Sequence, residues 1–357
     1  MRASVILMPL LAVAAAAQRR CGTTKVPPSL KETAKSFQRA NARTAWVATS
    51  HANRTLTVET YFHVVASDET EENGYVPEDK LKKQLEVMNE HYKSTGVVFD
   101  LKNISWTVNA AWSSFSVDAE DKTAEMGMKQ TLRKGGYAAL NVYFRPLGDG
   151  LLGICEFPDD IETASKEFWM DGCQVRHSSV PGGSTKNYDL GATATHEIGH
   201  WFGLFHTFQD GCDGGDQVDD TPAEADPTSG CPVGKDTCKG NKYPGLDPIS
   251  NFMDYSYDSC LTQFTPGQAT RIYQMWDKYR AKAVGSTTPE SPSTTPEPET
   301  PTTTSATPEV PSATSSTVPE SPSASADTPP TDDGSDDDSE WPEPADPWRR
   351  FKLANFF

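Results

Sequence analysis

Two kinds of segment are scarce in this sequence of 357 residues: long apolar runs and clusters of basic residues. After residues 5–17, no run has the about 20 apolar residues that crossing a membrane requires. The chain has 50 acidic and 32 basic side chains, and the basic ones are scattered. We therefore expect no nucleic-acid partner, no transmembrane segment and no attachment to an anionic membrane surface.

Histidine is also scarce, yet three of the seven histidines lie in the run His-Glu-Ile-Gly-His-Trp-Phe-Gly-Leu-Phe-His at 196–206. On a helix, His196 and His200 project from one face about 6 Å apart, so both can bind one Zn²⁺. Gly203 can end the helix and turn the chain, which brings His206 round as a third ligand. Three protein ligands leave a fourth position for water, as in catalytic zinc sites.

The residue after the first histidine completes this pattern. Glu197 can take a proton from a water on the open side of the metal and pass it to the leaving amine of a cut peptide bond. An amphipathic helix with surface histidines is the alternative interpretation of the run. The extension to the glycine and the third histidine is typical of metzincin peptidases and favours a catalytic site.

The two ends of the chain differ in composition from its middle. Residues 1–17 are predicted to be a secretory signal, with Arg2, an apolar run too short for a membrane anchor, and Ala15-Ala16-Ala17 as the cleavage site. Residues 285–357 hold 14 of the 27 prolines and 14 acidic against 3 basic side chains. This tail cannot bury enough apolar area to fold. Asn53 and Asn103 lie in sequons for N-glycosylation.

The middle of the chain alternates strand-like and helix-like patterns. Strands are predicted at 56–65, 97–108, 140–144 and 151–155, and helices from Pro77, over 119–133, from near Leu190 and over 265–283. This order predicts an α/β (α+β) domain with a twisted mixed sheet. Residues 207–251 are rich in Gly, Asp, Pro and Cys, so we expect them to be irregular and held by disulfides.

The zinc run and four later motifs resemble the pappalysin family of metzincin metallopeptidases, and especially its small secreted members such as fungal extracellular metalloproteases. The resemblance covers roughly 56–283, and these motifs carry it: Gly211-Cys212, Asp219-Asp220-Thr221-Pro222, Asn251-Phe252-Met253-Asp254-Tyr255 and Phe264-Thr265-Pro266-Gly267-Gln268. It implies a zinc endopeptidase made as a zymogen, with a pro-segment at 18–54 and a metzincin-like catalytic domain at 55–284. The substrate cleft would lie between a sheet-containing upper subdomain and an irregular lower one.

The resemblance also implies roles for single residues. Met253 would lie in a turn beneath the metal, and Tyr255 would hydrogen-bond the tetrahedral oxyanion, unless it is a structural aromatic residue. Asp258 would line the pocket for the residue after the cut bond and favour Arg or Lys there, unless it is a solvated loop acid. The edge formed by Leu151 and Gly153 could pair with an extended substrate.

A second metal is suggested by the oxygen-rich segment after the zinc run. Its carboxylates lie among glycines and suit Ca²⁺, although their spacing does not match an EF-hand. The calcium prediction depends on the resemblance and names Asp216 and Asp220 as ligands. A polar turn is the alternative.

The odd number of cysteines leaves one without an intramolecular partner. Six of the seven allow 15 pairings, and the resemblance favours Cys212–Cys238 and Cys231–Cys260. We also expect Cys155–Cys173, a pair that departs from the family's usual pattern. Cys21 remains, and a thiolate is a good zinc ligand. We hypothesise that Cys21 keeps the precursor latent until cleavage between about residues 42 and 55. The alternatives are an incidental thiol and an intermolecular bridge.

These patterns predict a secreted, monomeric zinc endopeptidase that hydrolyses extracellular proteins. The alternative is a catalytically idle, zinc-containing binding protein tethered by its tail. Glu197 discriminates between them, because a degenerate relative would often lose this residue. Whether the enzyme is digestive or processes few substrates stays open.

Overall fold

The computed structural model describes residues 20–43, 54–148, 150–240 and 242–283. The predicted signal at 1–17, the sequon residue Asn53 and the predicted tail at 285–357 lie outside these residues. Within the described part of the chain, no helix has the length and apolar character needed to cross a membrane.

A mixed sheet of five strands forms the upper part of the fold. The strands are β1 (Leu56–Ala66), β2 (Val97–Val108), β3 (Leu140–Arg145), β4 (Gly153–Cys155) and β5 (Cys173–Arg176). Their order is β2-β1-β3-β5-β4, and all neighbours are parallel except β4 and β5. β3 is buried along its whole length, as its apolar residues Leu140, Val142, Tyr143 and Phe144 predict. The predicted fold class is confirmed.

Eight α-helices are present among the described residues: α1 (Pro28–Arg43), α2 (Glu78–His91), α3 (Ala110–Ser114), α4 (Thr123–Leu132), α5 (Lys166–Met170), α6 (Ala192–Trp201), α7 (Gly211–Gly214) and α8 (Pro266–Met275). α8 begins at a capping box in which Thr265 and Gln268 each bind the other's backbone N–H. It continues through a π-helical turn at Trp276–Arg280.

The helix that carries the histidine run lies inside the protein. All ten residues of α6 are buried, and the helix contacts β4, β5 and α2. Ile198 and Trp201 of α6, and Phe202 directly after it, belong to the main core together with residues of the sheet and α8. Because α6 has no exposed face, an amphipathic surface helix no longer explains its histidines.

Residues 202–265, between α6 and α8, form a largely irregular lower region, as the composition of 207–251 predicts. The structure contains three disulfides: Cys212–Cys238, Cys231–Cys260 and Cys155–Cys173. These are the pairs expected from the sequence. The first two lie within the lower region, and the third joins the antiparallel strands β4 and β5.

Helix α1 was not predicted, because residues 18–53 look polar overall. Leu30 and Ala34 nevertheless fall four residues apart on one face and pack against Phe205, Met275 and Tyr279. Polar contacts at the surface lie beside these apolar residues, among them an ion pair between Lys31 and Asp210. The spacing of Leu30, Ala34 and Phe37 is the helical signal that could have revealed α1.

Candidate active site

Three imidazoles and one thiol converge at the C-terminal part of α6. One ligand atom from each of Cys21, His196, His200 and His206 lies within 4.8 Å of the other three, and all four residues are buried. Nε2 of His200 and Nε2 of His206 are 3.1 Å apart. Two ligands come from one helix face and the third from the turn that follows, as the motif spacing predicts.

Hydrogen bonds to the backbone fix the orientation of two of these rings. Nδ1 of His196 donates to the carbonyl of Phe252 at 2.7 Å, and Nδ1 of His200 donates to the carbonyl of Leu204 at 2.8 Å. Their Nε2 lone pairs therefore face the shared point. Nε2 of His196 is buried without a hydrogen-bond partner, which a bound metal would satisfy.

The electrostatics of the cluster suit a divalent cation. Burial lowers the pKa of His196 to about 4. Burial, together with the neighbouring histidines, lowers the pKa of His200 and of His206 well below the usual value. The rings are therefore neutral at pH 7, and the neutral imidazole is the form that binds a metal. Nitrogen ligands of this number and geometry fit Zn²⁺.

Two glycines make this geometry possible. Gly203 has φ +86°, a conformation that L side chains rarely adopt, and its N–H binds the carbonyl of His200 at 2.8 Å as the chain turns. A Cβ at Gly199 would lie 2.3 Å from Sδ of Met253. The thioether of Met253 therefore packs directly against the backbone of α6, beneath the histidines.

Glu197 faces the same space as the imidazoles. Its Oε2 lies 3.4 Å from Sγ of Cys21, and its side chain is fully buried. A Cβ at Gly153 would lie 2.4 Å from Cγ of Glu197, so the glycine of β4 leaves room for the carboxylate. Burial raises the pKa of Glu197 to about 8.

Tyr255 borders the cluster from the lower region. Its ring centroid lies 5.0 Å from that of His206 and 5.6 Å from that of His196. Burial raises the pKa of its phenol, and Cys21 and Glu197 raise it further. The phenol is therefore protonated at neutral pH and can donate a hydrogen bond.

The N-terminal segment lies along β4. The carbonyl of Arg20 accepts hydrogen bonds from the N–H of Leu152 at 2.8 Å and of Gly153 at 3.3 Å. The N–H of Gly22 donates to the carbonyl of Gly153 at 2.8 Å, in a parallel bridge centred on Cys21. Of the edge predicted to bind substrate, Gly153 thus pairs with residues 20–22 of the chain itself. Leu151 does not, because its N–H donates to the carbonyl of Gly148 and its carbonyl accepts from Arg176.

Arg20 forms part of the wall of a pocket beside the cluster. The guanidinium carbon lies 4.8 Å from the ring centroid of Tyr188 and 5.8 Å from that of Tyr257. The guanidinium also donates to Oγ of Ser229 at 2.9 Å. A basic side chain of the chain itself therefore lies against two aromatic faces at the wall of this pocket.

Asp258 lines the same pocket and is buried, so it is not the solvated loop acid considered above. Its Oδ2 accepts hydrogen bonds from the N–H of Leu190 at 2.9 Å and of Ala192 at 3.3 Å. Burial raises the pKa of this carboxyl to about 6. One oxygen of Asp258 thus binds the start of α6, a role that the sequence did not suggest.

Among the described residues, neither Asp216 nor Asp220 belongs to a group of three or more side chains placed to hold one metal ion. Oδ1 of Asp216 accepts the N–H of Val218 at 2.9 Å, and Oδ2 of Asp220 accepts that of Gly267 at 2.8 Å. Calcium binding stays a prediction. Asn103, the other sequon residue, is exposed on β2, where a glycan could attach.

Known proteins resemble the chain in sequence and in fold. Residues 174–277 match the family described as Pregnancy-associated plasma protein-A (Peptidase_M43). The chain is 50% identical over 292 residues to Extracellular metalloprotease 1 of Coccidioides posadasii, a match that covers 79% of this chain and 99% of that protein. It is 48% identical over 263 residues to the Extracellular metalloprotease of Colletotrichum graminicola, covering 73% of this chain and 90% of that protein.

A solved structure adds a likeness in three dimensions. Mature mirolysin of Tannerella forsythia, in complex with a cleaved peptide, matches with a TM-score of 0.53 and 25% sequence identity. The match covers 66% of this chain and 100% of mirolysin. The segment matched by the family, 174–277, includes α6, His206 and Tyr255.

Proposed function

The chain belongs to the pappalysin family of extracellular metalloproteases, as its motifs predicted, and we propose that it is a zinc endopeptidase that cleaves extracellular proteins. The observation that carries this proposal is the buried group of His196, His200 and His206 with Glu197 beside it. The related mirolysin holds a cleaved peptide, which supports peptide-bond hydrolysis as the reaction.

The metal and two side chains would have distinct roles. Zn²⁺ held by the imidazoles would supply the electrophile that polarises a water and the scissile carbonyl. Glu197 would take the proton of the attacking water and deliver it to the leaving amine. Tyr255 would donate its phenolic hydrogen to the oxyanion that develops on the substrate carbonyl. The Nδ1 bonds of His196 and His200 would hold both rings in the orientation that binds the metal.

A basic residue after the cut bond would enter the pocket whose wall Arg20 now helps to form. The rings of Tyr188 and Tyr257 lie near this guanidinium, and Asp258 contributes negative charge to the pocket wall. Cation–π contacts and a nearby carboxylate both favour a cation over an apolar group in a desolvated pocket. This arrangement supports a preference for Arg, and to a lesser extent Lys, in the substrate.

Residues 18–54 would keep the enzyme latent as a pro-segment with two points of attachment. Cys21 lies with the three histidines and beside Glu197, so its thiolate would complete the metal's ligand set. Farther along, α1 packs on Phe205 and α8 through Leu30 and Ala34. Cleavage near residue 54 would free this segment and open both the metal site and the β4 edge.

The proposed function is tested by expressing the full chain and assaying casein hydrolysis before and after limited proteolysis of the pro-segment. Activated wild type should cleave casein, lose activity to a chelator and regain it with Zn²⁺. Glu197→Ala should still bind zinc but lose about 10²- to 10⁴-fold in kcat. Undiminished cleavage by Glu197→Ala would remove the proposed mechanism.

A further inference from the structure

A buried carboxylate in the lower region connects two segments that carry functional side chains. Glu224 has no solvent exposure, and its Oε2 accepts a hydrogen bond from Oγ1 of Thr207 at 2.7 Å. Thr207 directly follows His206, the histidine that lies beyond the end of α6. The backbone that positions the third imidazole is therefore tied to this carboxylate.

The other oxygen of Glu224 is tied to the segment that contains Tyr255. Oε1 accepts a hydrogen bond from Oγ1 of Thr228 at 2.9 Å. The N–H of Thr228 donates to Oδ1 of Asp254 at 3.0 Å, and the same oxygen accepts the N–H of Tyr255 at 2.7 Å. Continuous hydrogen bonds thus run from the neighbour of His206, through Glu224, to Tyr255.

Lys235 compensates the buried negative charge. Its Nζ lies 2.6 Å from Oε1 of Glu224 and 3.0 Å from Oδ2 of Asp247, and it also donates to the carbonyl of Asp226 at 2.6 Å. A buried carboxylate with a hydrogen-bonded counterion can keep a fixed position. Asp247 shares the ammonium, but its carboxylate also binds the hydroxyl and the backbone N–H of Thr237, whereas Thr207 and Thr228 bind Glu224.

We propose that Glu224 is a positioning residue that fixes the imidazole of His206 relative to the phenol of Tyr255. This inference rests on the proposed peptidase function. The two rings meet edge to face at 5.0 Å, yet they belong to segments 49 residues apart in the chain. An error of about 1 Å in such a placement can lower a rate about 10²-fold, and loss of a group that supports a metal ligand typically weakens metal binding about 10- to 100-fold.

The experiment compares full-chain Glu224→Ala with Asp247→Ala, because each substitution removes one carboxylate from Lys235. Zinc affinity is measured by competition with a chromophoric chelator, and kcat and KM are measured after activation. Glu224→Ala should weaken zinc binding about 10-fold or more and lower kcat at least as much. Asp247→Ala should lose thermal stability but change zinc affinity and kcat by less than about threefold. Equal changes in the two variants would overturn the proposal, as would unchanged zinc affinity and kcat in Glu224→Ala.

Two conservative variants keep the test decisive if Glu224→Ala does not fold. Glu224→Gln retains the length needed to reach both Thr207 and Thr228, whereas Glu224→Asp retains the charge but is one methylene shorter. A bridging role predicts that Gln preserves zinc affinity better than Asp. If Glu224 acts by compensating Lys235, the order should reverse, and that result would contradict the proposal. Failure of wild type to bind zinc or cleave casein would instead remove the proposed function itself.

Discussion

The thiol of Cys21 lies 3.4 Å from Oε2 of Glu197, so one side chain of the N-terminal segment contacts the proposed general base. The same sulfur lies among the three imidazoles. In the proposed mechanism, the attacking water would bind at the position that this sulfur occupies. The N–H of Thr23 points at this sulfur from 3.3 Å and helps to fix it there.

Substitution of Cys21 should make the precursor active. In uncleaved Cys21→Ala, water could reach the metal, so casein hydrolysis should rise at least about 10-fold over the uncleaved wild type, in line with the typical loss of affinity when a metal contact is removed. Activity is measured on gel-verified full-length precursor. Thr24→Ala is the matched control, because Thr24 is an exposed residue of the same segment. Equal latency of Cys21→Ala and wild type would refute the role of this thiol.

Removal of one phenolic hydroxyl should slow the chemical step without weakening substrate binding. Tyr255→Phe should lower kcat about 10²-fold and leave KM nearly unchanged, because the hydrogen bond would form to the oxyanion in the transition state. Steady-state kinetics on a peptide substrate measure both constants. Tyr243→Phe, at a half-buried tyrosine of the lower region whose hydroxyl donates to Asp213, should match wild type in kcat. A kcat of Tyr255→Phe within twofold of wild type would make Tyr255 a structural aromatic residue.

The pocket lined by Arg20, Tyr188 and Asp258 should set a preference for basic residues. Asp258→Asn and Tyr188→Leu should each lower the ratio of kcat/KM for Arg-containing to Leu-containing peptides about fivefold, because each removes about 1 kcal/mol of attraction for the guanidinium. The Leu peptide is the internal control for any loss of folded enzyme, since Asp258 also binds the start of α6. An unchanged ratio in both variants would show that other residues select the substrate.

A buried histidine away from the metal site should make stability depend on pH. Burial lowers the pKa of His63 to about 4, and its ring nitrogens bind Ser105 and Asn141. In the unfolded chain, the imidazole of His63 takes up a proton below about pH 6.5, whereas in the folded chain it stays neutral down to about pH 4. The free energy of unfolding therefore falls as the pH falls from about 6.5 to about 4. Between pH 7 and pH 5, the free energy of unfolding of His63→Gln should fall by about 2 kcal/mol less than that of the wild type, as measured by urea unfolding. Equal losses in variant and wild type would contradict the low pKa.

Much of the metal site could be predicted because its information is local. His196, Glu197 and His200 share one helix face, and Gly203 allows the turn toward His206, so spacing alone specified their meeting. The strands β1 and β3 were equally clear, since both are rich in β-branched and aromatic residues. A pattern within a few residues of sequence is enough for prediction where a single helix or strand positions the side chains.

Other features depend on residues that are distant in the chain. β5 has four residues and no apolar run, and its place is set by pairing with β3 and β4. Glu224 looks like an ordinary loop acid until the fold brings Thr207 and Thr228 to it. Asp171 is likewise an unremarkable acid in the sequence, yet it is buried between Arg133 and Arg280 behind α6. Tertiary packing creates these partners, and no local pattern signals them.

In the precursor, one Zn²⁺ would be held by His196, His200 and His206, with Cys21 as the fourth ligand. Zinc K-edge X-ray absorption on the purified full chain tests this coordination most directly. We expect one zinc per chain, three nitrogen ligands at about 2.0–2.1 Å and one sulfur at about 2.3 Å, with the sulfur signal lost in Cys21→Ala. A metal-free chain, or a zinc shell of oxygen atoms without three imidazole nitrogens, would contradict the account.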